Sequence, residues 1–373
     1  MFERLNGPAG RVATHTGPMT EPFPANLNCR MSKLLGVSGV MMVALMMLAG
    51  CGRTPEPLAL SGATMGTYWS VRVAALPVGL ELAELRQEIE QVLEAVNAEM
   101  STYRSDSVIT AFNEAEAGQV IDLPPAFATV LSEALYWAEV TQGAFDPTVG
   151  SLVDLWGFGP EGAIERVPSA DQLAERMARV GWQQLDFDPA LGGLAQPGGV
   201  RLDLSGIAKG WGVDAVAERL LALGIENFLV DIGGDLRVRG QRPDRQGWRV
   251  AIERPLAGGG EIHAVLESTD AAIATSGDYR QFIELDGRRL SHLIDPMTGH
   301  PIDHATISVT VVVERCLTAD ALATALHIMP PEQAWSFAVD HDLAVLLLLA
   351  DNGAVVEKAT PGFEGFARDG SLP

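Results

Sequence analysis

Leu82, Leu85, Ile89, Val92, Val96 and Met100 recur at three- and four-residue steps, which lines one face of a helix and predicts an amphipathic helix of about five turns. A second stripe, Phe127, Val130, Leu131, Ala134, Leu135 and Ala138, predicts a helix that stops near Gly143. Ser169 with Gln172 three residues on reads as a capping box and opens a third helix, which ends near Gly181. Val213, Val216, Leu220 and Leu223 form the apolar face of a fourth, with Gly224 as its stop.

Beyond Gly224 the period falls to two. The stretches 227–232, 236–240, 248–253 and 306–313 are alternating or β-branched runs bounded by Gly, Pro or Asp, as strands are. Asp286-Gly287 between two further runs predicts a hairpin with a two-residue loop. "TADALATALHI" follows as a helix with Thr318 as its expected N-cap, then strands at 344–349 and 354–359. Helices early and strands late, without regular βαβ alternation, predict an α+β fold of mixed β-sheets packed with helices. A mostly helical lobe is expected in the N-terminal half, between about Asn113 and Gly193.

One apolar run does not belong to this pattern. Lys33 precedes an apolar run from Leu34 to Leu48 that closes in "LAGC", small residues directly before Cys51. At about 1.5 Å per residue the run is short for a bilayer core of roughly 30 Å. It has the form of a signal h-region rather than a permanent span. The segment resembles a bacterial lipoprotein signal, which makes Cys51 the expected lipidated residue and a periplasmic, membrane-anchored location the expected address. The organisation expected is therefore a leader over 1–50, with 31–50 as the signal proper and Met31 as the expected start. A tether follows over 51–60, then one folded domain over 61–373. Of three cysteines only Cys316 lies in that domain, so no disulfide framework supports it.

Acidic residues outnumber basic ones by 48 to 26, a formal charge of −22, and no Lys/Arg block is present. Nucleic acid is accordingly not an expected partner.

Four stretches could carry chemistry. "RLDLSGIAKG" (201–210) runs from a strand-like to a helix-like pattern, but Ile207 and Ala208 separate Gly206 from Lys209, and Gly210 stands where a Walker loop needs a hydroxyl. A glycine at such a junction still admits an anion to the first helical N–H groups. In "TADALATAL", Asp320 and Thr324 stand four apart, so a helix offers a carboxylate and a hydroxyl on one face; a hard cation and a back-bonded threonine both fit that spacing. "SHLIDPMTGHPIDH" holds three of the seven histidines without the helical spacing of a zinc site. His292 there is a candidate base near neutral pH, or equally a hydrogen-bonded turn histidine. "TQGAFDPTVGSLVDLWGFG" (141–159) is a glycine-rich loop whose Trp156 and Phe158 suit either gripping a flat ring or packing.

Taken in order, "ATMGTYW", "MSTYRSDSVITAFN", "GAFDPTVGSLVDLWGFG", "LDLSGIAKGWGVD", "VDIGGDLRVRG", "ATSGDYRQF", "SHLIDPMTGHPI" and "TADALATAL" resemble the FAD:protein FMN transferases of the ApbE family, from about Ser61 to the end of the chain. The resemblance implies an ApbE-like fold and a magnesium-dependent transfer of FMN from FAD to a Thr or Ser hydroxyl of an exported flavoprotein, with AMP released. The implied acceptor is a flavin-carrying subunit of a membrane redox complex. Residue by residue, it implies FAD contacts at Met65, Tyr103, Ala144, Phe145, Asp146, Asp203, Lys209 and Ile294. It implies Mg2+ ligands at Gly206 (through its carbonyl), Asp320 and Thr324. Some members carry a second acid one residue before the threonine, where this chain has Ala323. His292 is the expected base for the acceptor hydroxyl. An FAD pyrophosphatase releasing FMN and AMP, and a non-catalytic flavin-binding lipoprotein, are the alternatives.

Overall fold

The computed structural model of the chain describes residues 56–254, 261–277, 282–285 and 287–366. The described residues belong to one compact unit, Thr54–Pro373. The predicted leader and Cys51 lie outside them, as do Asp286 and the last seven residues.

The chain enters through β1 (Leu58–Thr64) and β2 (Thr67–Val73), an antiparallel pair in which Thr64 faces Thr67. Met65 and Gly66 at the tip have φ of 48° and 70°, the double positive φ of a type I′ hairpin turn. The first five helices are α1 (Leu82–Met100), α2 (Val108–Glu114), α3 (Pro125–Val140), α4 (Gly150–Leu155) and α5 (Ala170–Met177). A small ribbon joins β3 (Val120–Asp122) to β4 (Gly193–Ala195). Then come α6 (Ala208–Ala222), β5 (Phe228–Ile232), β6 (Asp235–Arg239), β7 (Trp248–Glu253), β8 (Ile262–Ser268) and β9 (Asp270–Gly277). The chain continues through β10 (Phe282–Leu285), β11 (Arg288–Ser291), β12 (Thr306–Val313), α7 (Cys316–Ile328), α8 (Pro331–Asp340), β13 (Ala344–Asp351), β14 (Ala354–Ala359) and α9 (Pro361–Glu364).

Eight strands form one antiparallel sheet in the order β1-β2-β5-β6-β9-β12-β13-β14. Its strands alternate, so each face carries its own apolar set. Val71, Phe228, Val230 and Ile232 meet Leu85, Ile89 and Leu93 of α1 and Val213, Val216 and Leu220 of α6. On the opposite face Leu229, Leu236, Val238 and Ile273 meet Trp248, Val250, Ile252 and Leu266 of the β7–β8 hairpin, together with Phe363.

The helical stripes fall where the spacing placed them, and the Ser169–Gln172 capping box is present. The third helix ends at Met177, four residues early. Leu285 pairs with Arg288, which closes a two-residue loop between β10 and β11 as the Asp-Gly signal predicts. Two expectations change. The main sheet begins with β1 and β2, ahead of every described helix, so strands are not confined to the second half. Thr318 does not cap α7: its hydroxyl donates to Glu133 Oε1, 2.9 Å away. The cap comes from α6, where the Asp214 carboxylate accepts the Cys316 and Leu317 N–H groups at 3.1 and 3.0 Å. A borrowed cap satisfies the same orphan donors that a local one would.

α6 and α7 cross closely because Gly210 lacks a side chain. A Cβ there would meet the Cys316 carbonyl and lie 2.8 Å from Asp320 Cβ. Gly210→Ala is expected to cost about 1–3 kcal/mol by overpacking, read as a lower midpoint in urea at unchanged slope.

Candidate active site

A cavity of about 1310 Å³ opens along the junction of these elements. Met65, Tyr103, Phe145, Asp146, Asp203, Gly206, Lys209, His292, Ile294, Asp320 and Thr324 all line it. Ala144 lies behind its wall, buried in the cluster that holds Leu293, Leu322 and Ala323.

Local structure explains each placement. The β1–β2 turn carries Met65 to the rim. Tyr103 follows α1, remains 71% exposed, and donates its hydroxyl to the Phe158 carbonyl at 2.8 Å. Residues 146–150 run beside 201–203: Asp203 N–H donates to the Pro147 carbonyl at 2.8 Å, and Val149 bridges Arg201. The Asp203 carboxylate accepts the Ser205 N–H at 2.8 Å, which shapes the turn into α6.

Asp146 is of another kind. Its carboxylate accepts Thr148 N–H at 2.8 Å, Thr148 Oγ1–H at 2.6 Å and Trp182 N–H at 3.1 Å. Burial nevertheless pushes its carboxyl above the usual range. In the aromatic loop the two candidates part company. Trp156 is buried and gives its indole N–H to the Gly299 carbonyl at 2.7 Å, so it ties two loops together rather than facing the cavity. Phe158 does line the cavity, with its ring edge-on to His292 at 6.4 Å.

At the floor the chain brings together residues 111 positions apart. Lys209 Nζ lies 3.3 Å from Asp320 Oδ1, and Gly210 N–H donates to Asp320 Oδ2 at 2.9 Å. Sequence reasoning missed the second acid, Asp235, whose Oδ2 is 2.5 Å from Lys209 Nζ. Its only prior signal was a place in "VDIGGDLRVRG", where it opens β6 opposite Ile232 while its carboxylate reaches a lysine on another element. Burial works against the lysine charge, but the two carboxylates outweigh it and hold the ammonium above the usual lysine range. Burial pushes the Asp235 carboxyl above the usual carboxylate range, against the pull of Lys209.

Thr324 stands one turn beyond Asp320, and its hydroxyl donates to the Gly206 carbonyl at 3.4 Å. A Cβ at Gly206 would lie 3.0 Å from Thr324 Cγ2 and 3.1 Å from Oγ1, filling the cradle between carbonyl and hydroxyl. Carboxylate, hydroxyl and carbonyl are all oxygen donors, the kind a hard cation takes; here both Asp320 oxygens are engaged by Lys209 and the Gly210 N–H. Among the described residues no three His, Cys, Asp or Glu cluster as metal ligands. Ala323 is 1% exposed among apolar neighbours. An acid at that position would be buried in a hydrocarbon pocket.

Below the floor lies His327, fully buried on the same helix. Burial, reinforced by His304, lowers it to about 3. Its folded value therefore lies below an unfolded value of about 6.5, and the unfolded chain binds the extra proton between the two. Stability is expected to fall as pH drops from about 6.5 towards 3, by about 1.4 kcal/mol per unit from this residue. His327→Gln removes that slope in urea titrations at a series of pH values.

The fold is that of solved flavin transferases. The solved structure of flavin transferase ApbE from Vibrio cholerae is similar with a TM-score of 0.76 and 41% identity, over 83% of this chain and 99% of that one. The apo flavinyl transferase ApbE of Pseudomonas stutzeri gives 0.77 and 36%, over 83% and 96%. The FAD:protein FMN transferase of Haemophilus influenzae is 41% identical over 338 residues, 88% of this chain and 97% of that protein. The ApbE family pattern matches residues 65–347, and the chain belongs to the ApbE family.

Proposed function

We propose that this chain transfers FMN from FAD to a Ser or Thr hydroxyl of an exported flavoprotein, forming a phosphoester and releasing AMP. The observation that carries the reading is the floor of the cavity of about 1310 Å³, where the Lys209–Asp320 pair and the Thr324–Gly206 hydrogen bond stand one helical turn apart. The names of the relatives support it.

Asp320, Thr324 and the Gly206 carbonyl would hold Mg2+, which when bound neutralises pyrophosphate charge and stabilises the leaving phosphate. Lys209, kept cationic by its two acids, holds the phosphates as a point charge. Met65, Tyr103, Phe145, Phe158 and Ile294 supply the apolar grip for the flavin ring. The acceptor oxygen attacks the phosphorus of the FMN half, the bond to the AMP phosphate breaks, and AMP leaves with the electron pair. His292 takes the hydroxyl proton. Asp203 and Asp146 act through the turns they fix, and Ala144 through the wall it supports.

Incubation with FAD, Mg2+ and an acceptor domain, followed by the mass of the acceptor, tests the reading. One added FMN phosphate ester is expected. Free FMN and AMP with an unmodified acceptor would mean hydrolysis, and intact FAD would mean binding alone.

The apolar run ending at Cys51 supports a lipid anchor on the periplasmic side of a bacterial membrane. Cys51→Ser is expected to move the protein from the membrane to the soluble fraction on cell fractionation; retention in the membrane would count against the anchor.

A further inference from the structure

Ser276 lies on β9, half-buried at the cavity wall, and none of the roles above uses it. Its Oγ is 3.2 Å from His327 Nδ1. The other ring nitrogen, Nε2, is 3.3 Å from the Thr306 carbonyl. A carbonyl only accepts, so Nε2 must carry the proton. The ring is buried and neutral, so Nδ1 is left with a lone pair. The Ser276 hydroxyl therefore donates inward. His304, whose ring is 6.4 Å away, has the same polarity: its Nδ1 accepts the Thr306 N–H at 3.3 Å and its Nε2 faces the Ile328 carbonyl at 3.3 Å. It offers no proton that would reverse the pair. Thr275, the neighbour of Ser276, bonds the Thr310 hydroxyl at 2.9 Å.

With its proton committed, Ser276 presents only lone pairs to the cavity. Phosphate oxygens, which also only accept, gain nothing from it. We propose that Ser276, oriented by His327, is a positioning residue that accepts a hydrogen bond from an O–H or N–H group of the bound flavin nucleotide. The acceptor protein brings a single reacting hydroxyl, whose proton His292 requires, whereas FAD carries several such donors on its sugar chains and rings. This inference rests on the reading of FAD as substrate, yet its test is binding and not turnover.

FAD is titrated against the full chain and its Ser276→Ala and Ser276→Thr variants by ligand fluorescence, without any acceptor protein. Ser276→Ala is expected to weaken FAD about tenfold, the worth of one hydrogen bond, and Ser276→Thr to restore it. Parallel titrations with FMN and AMP assign the donor: the half that carries it loses affinity and the other does not. In histidine-selective ¹⁵N spectra His327 should remain an Nε2–H tautomer from pH 5 to 9, with its Nδ1 signal moved by Ser276→Ala. Unchanged FAD affinity in Ser276→Ala, or an Nδ1–H tautomer at His327, would overturn the assignment. Failure of wild-type protein to bind FAD would instead remove the functional reading itself.

Discussion

Asp320→Ala is expected to lower FMN transfer by about a thousandfold at saturating substrates, the loss that follows when the carboxylate that would hold the charge-neutralising cation is deleted. The carboxylate has three tasks at once. It pairs with Lys209, accepts the Gly210 N–H where α6 begins, and stands one turn from Thr324 towards the Gly206 carbonyl. Alanine leaves Lys209 paired with Asp235 alone, so the ammonium follows Asp235 and shifts from the phosphate position. Asp320→Asn separates structure from charge. It retains an acceptor for Gly210 and should fold as wild type, yet it loses nearly as much activity as alanine. Stopped-time assays of acceptor flavin content measure both; near-normal rates in either variant would break the link between the two stretches.

His292→Ala is expected to reduce the single-turnover rate about a hundred- to ten-thousandfold, the usual worth of a positioned base. The return strand β11 ends at Ser291, one residue short of His292, which lies in the following bend, half-buried, and lines the cavity, while Leu293 beside it is buried. Phe158 meets the ring edge-on and holds its orientation. If the residue acts as base, the loss falls on the rate at saturation and not on FAD affinity. The variant should also lose the acid limb of its pH profile and regain part of its rate with added imidazole. Full transfer by His292→Ala would assign the proton to another group.

The parts of this site that were legible in the sequence share one property: their partners are close in the chain. Asp320 and Thr324 are linked by helical spacing, whereas Met65 was named only through the family resemblance of its motif. The Gly206–Lys209 spacing was enough to exclude a Walker loop. Asp235 was not legible, because its meaning comes from a lysine 26 positions earlier on a different element. The cap of α7 was misplaced for the same reason, since Asp214 lies 102 residues before the N–H it accepts. Trp156 and Phe158 looked equivalent in sequence and differ only because a carbonyl at Gly299 stands within reach of one indole. Ser276 and His327 lay in the stretches "ATSGDYRQF" and "TADALATALHI", but nothing linked them; their bond joins a strand to a helix 51 residues later. At the level of fold, the helical stripes were clear from their long periodicity. β1 and β2 were obscured by small and polar residues in short strands.

Gly206, Asp320 and Thr324 are expected to form one oxygen site for a divalent cation beside Lys209. Electron paramagnetic resonance of Mn2+ bound in place of Mg2+, titrated against the FAD-loaded protein, tests it without reference to turnover. Saturable binding of the ion is expected in the wild type, weakened by Thr324→Ala and lost in Asp320→Ala, with FAD still bound. Binding of Mn2+ to Asp320→Ala as tightly as to wild type would contradict it.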